Sequence, residues 1–223
     1  MGGTCRSVLE PGCGSGRYLE AFARHGLEVV GIDSSAHMID VAKRRLTEVS
    51  LAGEVVLGDM TDFALGRRFD GAVCAIATLE HLAPAELEQH LVCMARHLAD
   101  DARYMIQLAL YDPGWQDVPA SSWVESRGDL TLRIDWTTEE IDFDAGRARQ
   151  HSRLEILSGP RRGEIVEEDH EMTAWTPESW NGALAESPFS LAAVYDGSDD
   201  PPRKVGPGVT GGLMWSELTL TKA

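Results

Sequence analysis

The chain has 223 residues, 43% of them hydrophobic, and a formal charge of −16. That length suits one domain with a sizeable core, and no apolar run approaches the roughly 20 residues of a membrane span. The strong negative charge excludes general nucleic-acid binding, which needs a basic footprint, and disfavours an anionic membrane surface.

Met1-Gly2-Gly3-Thr4 carries no basic, apolar export signal, so a cytoplasmic location is expected. Cys5, Cys13, Cys74 and Cys93 form no C-x-x-C pair and are expected as buried free thiols. A short buried strand near 6–9 runs into Glu10-Pro11-Gly12-Cys13-Gly14-Ser15-Gly16, and a helix follows over 16–25. Glycines in such a turn permit positive φ and let a ligand approach the backbone. The helix behind presents unpaired N–H groups and a positive dipole end. The spacing differs from the dinucleotide pattern G-x-G-x-x-G, although the backbone geometry is shared.

A second strand over 27–32 ends at Asp33, the distance at which an acid reaches ribose hydroxyls in either kind of site. The helix over 35–48 carries Met38, Ile39, Val41, Ala42 and Leu46 at helical spacing, with Ser34 or Ser35 as its cap. A third strand over 54–57 leads to a second acid, Asp59, and to Met60. Two strand-end acids beside a glycine cradle suit a nucleoside with both ribose and an adenine amino group to bind. Glu10 adds negative charge where a pyrophosphate would be repelled and a sulfonium tolerated.

The fourth strand, 69–75, closes on Cys74-Ala75-Ile76 and is followed by Thr78, Glu80 and His81. A helix over 84–98 starts at Pro84, and a fifth strand spans 103–110. This alternation predicts a parallel sheet covered on both faces, with ligands at the carboxyl ends of its strands. Tyr111-Asp112-Pro113-Gly114-Trp115 breaks it. Period-two segments at Leu130–Trp136, Glu139–Asp144, Arg147–Leu157 and Glu164–Trp175 predict an inserted antiparallel meander. A helix from Thr176-Pro177 and strands at Leu191–Tyr195 and Leu213–Leu220 complete the chain, with Asp196–Gly212 as a loop. The expected layout is thus a ligand-binding α/β core over 1–110, an inserted β subdomain over 111–175, and a C-terminal part over 176–223.

Taken together, the glycine loop, Asp33, Asp59-Met60 and the His81 segment resemble class I S-adenosylmethionine (SAM) dependent methyltransferases. Gly58-Asp59-Met60-Thr61-Asp62-Phe63-Ala64-Leu65-Gly66-Arg67-Arg68-Phe69, continuing through Val73-Cys74 to Glu80-His81-Leu82, is similar to the nucleotide-amino-sugar N,N-dimethyltransferases of antibiotic pathways. The resemblance implies a Rossmann-like seven-stranded α/β sheet with helices on both faces. It implies SAM as cofactor and S-adenosylhomocysteine as product, held by Glu10, Gly12, Gly14, Gly16, Asp33, Ser34, Met38, Asp59, Met60, Cys74 and Ala75. It also implies methyl transfer to a nitrogen or oxygen of a small molecule, an amino group being favoured. His81 stands as candidate proton acceptor beside the methyl group, or as a residue that pins the following helix, and Thr78 and Glu80 as candidates to orient the acceptor. The remaining histidines, His25, His37, His90, His97, His151 and His170, have no metal-ligand spacing, so no metal is expected. The acids of the meander read mainly as a solvated face.

Two departures from the pattern shape expectation. Relatives carry N-terminal helices that close over the cofactor, whereas the first strand here begins almost at Met1. The expectation is a more open site, cover by another segment, a second copy or a partner chain, or a mis-assigned start. Relatives that act on nucleotide sugars place an arginine before the last strand, where this chain has Thr210-Gly211-Gly212. Peptide or protein methylation, a non-catalytic SAM-fold subunit and a nicotinamide oxidoreductase are the alternatives.

Overall fold

The computed structural model describes residues 5–114, 120–198 and 200–221. Met1–Thr4 and Trp115 therefore lie outside the described residues. The first half alternates as expected: β1 (Ser7–Pro11), α1 (Arg17–Arg24), β2 (Glu28–Asp33), α2 (Ala36–Glu48), β3 (Glu54–Leu57), β4 (Phe69–Cys74), a 3₁₀ turn (Thr78–His81), α3 (Pro84–His97) and β5 (Leu98–Leu110). Four strands follow, β6 (Ala120–Arg127), β7 (Leu130–Asp142), β8 (Arg147–Ser158) and β9 (Ile165–Thr173). The chain then returns through α4 (Pro177–Ala185), β10 (Phe189–Asp196), β11 (Arg203–Val205) and β12 (Gly211–Leu220).

The main sheet has the order β11-β10-β12-β5-β4-β1-β2-β3. Strands β3, β2, β1, β4 and β5 are mutually parallel. β12 is antiparallel to both β5 and β10, so β10 runs with the parallel set. The sheet has eight strands rather than the expected seven, because Arg203–Val205 folds back on β10 from within the expected loop. A separate four-stranded antiparallel sheet, β6-β7-β8-β9, hangs from the carboxyl end of β5. Its β7 runs unbroken through the two segments expected at 130–144, absorbing the break as a bulge between Thr138 and Glu140.

The caps follow local chemistry. Ser35, not Ser34, caps α2, its Oγ accepting from the Met38 N–H at 3.3 Å. At α3, Pro84 occupies the first turn and Glu86 accepts from the Ala83 N–H at 2.8 Å. On one face of the sheet, α3 and α4 bury Leu87, Leu91, Met94, Trp180 and Leu184 against Leu9, Ile32, Tyr104, Ile106 and Leu218. On the other, α1 and α2 bury Leu19, Ile39, Ala42 and Leu46 against Val29 and Val55. Helices thus cover both faces as expected, the second face being covered over β1–β3 among the described residues. Beyond α1, an apolar cavity of about 420 Å³ opens among Tyr18, Phe22, Val73, Met105, Tyr195, Pro202 and Trp215. Of the cysteines, Cys13, Cys74 and Cys93 are buried as expected, while Cys5 is exposed. Among the described residues, no helix is long and apolar enough to cross a membrane.

Candidate active site

The glycine loop joins β1 to α1 at the carboxyl edge of the sheet. Gly12, Gly14 and Gly16 all have positive φ, at 66°, 51° and 73°. A Cβ on Gly12 would lie 2.4 Å from Thr78 Cγ2, and one on Gly16 would lie 2.9 Å from Ala42 Cβ in α2. Nothing lies within 4 Å of the Cβ position of Gly14, so the middle of the loop faces open space. The loop is tied from both sides. Asp33 accepts from the Gly14 N–H at 2.7 Å and the Ser35 N–H at 2.9 Å. Arg45 of α2 donates to the Ser15 carbonyl at 2.8 Å and to Glu20 at 3.0 Å. Sequence spacing gave no sign of Arg45, because its contact spans 30 residues.

Under the loop, Glu10 is 4% exposed and its Oε2 has no hydrogen-bond partner. Burial pushes its carboxyl up to about 8, against a hydrogen bond from the Leu19 backbone that pulls it down. An orphaned buried carboxylate oxygen costs on the order of 1–3 kcal/mol or more. A cationic ligand would satisfy it, and a pyrophosphate would not. The residues present therefore fit SAM: Glu10 for its positive methionine part, the open backbone at Gly14, and Asp33 for ribose.

The adenine side is built from below. Asp59 accepts from the N–H and hydroxyl of Thr61 at 2.8 and 2.7 Å, which holds its carboxyl below the ordinary range. Three α3 side chains, one per turn, then grip the 60–65 backbone. His90 Nδ1 donates to the Met60 carbonyl at 2.8 Å, Cys93 Sγ accepts from the Phe63 N–H at 3.5 Å, and His97 Nε2 accepts from the Leu65 N–H at 3.2 Å. His90 is fully buried, its Nε2 bonded to Tyr104 Oη at 2.7 Å. Burial drops its pKa to about 4. Tyr104 is in turn hydrogen-bonded to the buried thiol of Cys74. Cys74 thus faces the core and can offer a ligand only its backbone. Met60 lies near Gly12, its sulfur 3.7 Å from the Cβ position there. Ser34 is exposed on the rim beside Asp33, and Met38 on the first turn of α2 is 39% exposed rather than packed.

After β4 the backbone is strained. Ile76 and Ala77 have φ of 53° and 54°, a region that non-glycine residues, and β-branched ones above all, rarely occupy. Gln107 of β5 holds them, its Oε1 accepting from the Ile76 N–H at 2.9 Å and its carbonyl from the Ala77 N–H at 3.1 Å. Ala75 is buried, Ile76 is 54% exposed, and Thr78 donates to the Ala75 carbonyl at 2.7 Å while packing on Gly12. Glu80 does not face the rim as expected. It is 1% exposed, accepts from the Ala109 N–H at 2.6 Å, and burial raises its carboxyl to about 8. From the inner side of the 3₁₀ turn, the glutamate side chain reaches the β5 backbone before it reaches solvent. His81 is exposed at the end of the turn, its ring edge-on to His170 of β9 at 6.3 Å between centroids. Partial burial and then the neighbouring His170 lower its pKa, and Glu168 opposes them.

The antiparallel sheet is two-faced. Its outer face carries ion pairs, Arg149 with Glu139 and Glu140, Arg153 with Asp135, Glu155 and Glu167, and His151 with Asp169. Most of the acids are therefore a solvated, paired face. Its inner face is mixed: Ile134, Ala148, Ile156 and Met172 are buried on it, and between them lies a polar patch of buried Thr138, Gln150 and Ser152 with the partly buried Trp136 and His170. Trp136 Nε1 donates to Gln150 Oε1 at 2.8 Å, and Gln150 Nε2 donates to Tyr111 Oη at 2.9 Å. Thr173 Oγ1 donates to the Leu82 carbonyl at 2.8 Å and so clamps β9 to the turn that carries His81.

The chain was compared with known proteins. The methyltransferase domain family matches residues 8–101. The dTDP-3-amino-3,6-dideoxy-alpha-D-glucopyranose N,N-dimethyltransferase of Streptomyces fradiae is 31% identical over 86% of this chain and 72% of its own length. The dTDP-3-amino-3,4,6-trideoxy-alpha-D-glucopyranose N,N-dimethyltransferase of Streptomyces venezuelae is 30% identical over 70% of this chain and 63% of its own length. An SAM-dependent methyltransferase from Clostridium acetobutylicum shares the fold, with a TM-score of 0.78 at 15% identity over 98% of this chain and 85% of that one. With a glycine cradle, a cation-seeking carboxylate and two strand-end acids already in place, these likenesses show that the chain belongs to the class I SAM-dependent methyltransferases, close to the amino-sugar N,N-dimethyltransferases.

Proposed function

We propose that this methyltransferase acts on the amino group of a sugar carried by a nucleotide. The observation that carries this reading is the polar patch on the inner face of the antiparallel sheet. Trp136, Thr138, Gln150, Ser152 and His170 stand there beside His81 at the carboxyl edge that holds the cofactor residues. Hydroxyl, amide and imidazole groups on an aromatic wall suit a small polyhydroxylated ring rather than an apolar substrate. The activities of the two amino-sugar relatives point to the same class.

When bound, SAM supplies an electrophilic methyl group. The protein's part is then alignment, which can contribute ~7–11 kcal/mol for well-oriented partners. Glu10, Gly14, Asp33 and Asp59 hold the donor from one side, and the strained turn at Ile76–Ala77 fixes the floor between the two halves. Thr78 belongs to that floor, Glu80 stiffens it from beneath, and His81 at the rim helps remove the proton that the acceptor nitrogen must shed.

The direct test uses dTDP-3-amino-3,6-dideoxy-α-D-glucopyranose and SAM, followed by mass spectrometry. Gain of one and then two methyl groups is expected. Binding of SAM with no methyl gain on this or any other amino sugar would refute the acceptor class.

A further inference from the structure

Among the rim residues, His170 is the one whose ring is fixed by its surroundings. Trp136 stacks on it at 4.9 Å with 13° between planes, and the Trp136–Gln150–Tyr111 chain fixes the indole in its turn. Ser152 Oγ lies 3.0 Å from His170 Nε2 and 3.4 Å from the Glu168 carbonyl, and its proton can go to either. When the hydroxyl donates to the carbonyl, Nε2 carries the ring's proton and Nδ1 keeps a bare lone pair, the tautomer on which the proposal below depends. Among the described residues Nδ1 has no hydrogen-bond partner, and the buried unpartnered nitrogens there are limited to Trp175 Nε1. Nδ1 therefore opens to accessible space on the inner face. For His81, by contrast, no hydrogen bond to either ring nitrogen occurs among the described residues, so its tautomer is not set.

We propose that His170, through Nδ1, is the proton acceptor for the substrate's amino group, with Ser152 and Trp136 as its positioning residues and His81 as the neighbour that passes the proton on to solvent. The proposal rests on the amino-acceptor reading above. An ammonium N–H bond breaks, its electron pair staying on the substrate nitrogen, and the lone pair of Nδ1 takes the proton to give an imidazolium. The freed pair on nitrogen can then attack the methyl carbon, whose bonding pair to sulfur leaves with sulfur. Each transfer makes the nitrogen cationic again, so an acceptor that takes two methyl groups must unload a proton between them. The charged or titratable groups facing His170 are His81 from the 3₁₀ turn and Glu168 from its own strand. Its β7 and β8 neighbours, Trp136, Gln150 and Ser152, do not titrate near neutrality.

Two measurements test this. The first reads the protein alone: long-range proton–nitrogen NMR of ¹⁵N-histidine-labelled protein should show His170 as the Nε2–H tautomer, with that preference lost in Ser152→Ala. A proton on Nδ1 in the wild type overturns the proposal, whatever substrate the enzyme uses. The second uses the dTDP-amino sugar and SAM. His170→Asn should lower kcat at neutral pH by about 10²–10⁴-fold, with SAM affinity kept. The deficit should shrink as pH rises and solvent frees the amine unaided. Ser152→Ala should change the pH profile with a smaller loss. An unchanged kcat and pH profile in a folded His170→Asn overturns the inference. If the wild type itself leaves the amino sugar unmethylated, the acceptor class fails instead, and the tautomer measurement decides on His170.

Discussion

Replacing Asp33 separates cofactor binding from loop architecture, because its carboxylate braces the loop and is proposed to hold the ribose. In the protein alone it already accepts two backbone hydrogen bonds, from Gly14 at 2.7 Å and Ser35 at 2.9 Å. These tie the glycine loop to the start of α2. Hydrogen bonds to a charged acceptor are worth roughly 1.5–3 kcal/mol each when shielded, and Asp33 is only partly buried. Discounting for solvent, Asp33→Ala should cost on the order of 2 kcal/mol of stability, or roughly 4–8 °C in Tm for a domain of this size. The lost ribose contact adds ~1.5–3 kcal/mol to the binding side alone, so SAM affinity should fall at least tenfold. Asp33→Asn keeps an acceptor for one backbone N–H, so it should recover part of the stability while still losing affinity. Calorimetric titration with S-adenosylhomocysteine, alongside thermal unfolding, reads both quantities. Unchanged affinity in Asp33→Ala would sink the ribose assignment, and an unchanged Tm would sink the claim that Asp33 braces the loop.

The remaining expectations bear on the buried groups and the rim. His81→Ala should leave SAM affinity nearly intact and lower kcat on the amino sugar; normal turnover with a lowered Tm would make His81 a helix anchor instead. His90→Ala strands the Met60 carbonyl and the Tyr104 hydroxyl in the interior, so a loss of ~2–4 kcal/mol in urea unfolding is expected, with weaker SAM binding; a loss below 1 kcal/mol would show that the loop holds itself. The buried carboxyls of Glu10 and Glu80, at about 8 in the folded chain against an ordinary 4.5, bind more protons folded than unfolded between those limits. Their contribution is present in full at low pH and is lost as pH rises through about 8. His90 has the opposite sign, its neutral folded form losing stability as pH falls from 6.5 towards about 4. Unfolding free energy should therefore fall between neutrality and pH 8, by at most ~1.4 kcal/mol per pH unit for each carboxyl, with Tm falling alongside, and Glu80→Gln should remove about half the slope. A flat Tm over that interval would show that both carboxyls ionise freely.

The parallel half of the fold was legible because each of its signals is local. Apolar runs end at glycine or at an acid, and the helices between them show their 3.6-residue spacing with a cap or a proline at the start. Strand β6 was not legible. All eight of its residues are exposed, so Ala120–Arg127 has no apolar alternation, and only pairing with β7 makes it a strand. Arg203–Val205 escaped for a related reason, since three residues carry no period of their own. The same distinction runs through the site. Glycine loop, Asp33 and Asp59 could be put forward as site candidates because each stands at the end of its own strand. Arg45, His90 and Gln107 act on backbone 30 or 31 positions away, and nothing near them in sequence marks the contact.

Glu80 and His170 show what that costs a reading by proximity. Glu80 stands beside His81 in the chain, yet its side chain turns inward to the β5 backbone, because alternate positions of a tight turn point apart. His170 stands 89 positions beyond His81, in a strand whose exposed acids hide it. The bulge at Thr138–Glu140, the pairing of β8 with β9, and the Thr173 clamp on Leu82 together bring it to the rim. The cofactor half of such an enzyme is thus written in short motifs, since a nucleoside always meets strand ends and a glycine turn. The acceptor half is written in sheet register, where a one-residue slip would exchange Trp136, Gln150, Ser152 and His170 for the ion-paired outer face. On the proposed reading, acceptor identity rests on the pairing of β7, β8 and β9. Substitutions that shift that register should change the acceptor before they change SAM binding.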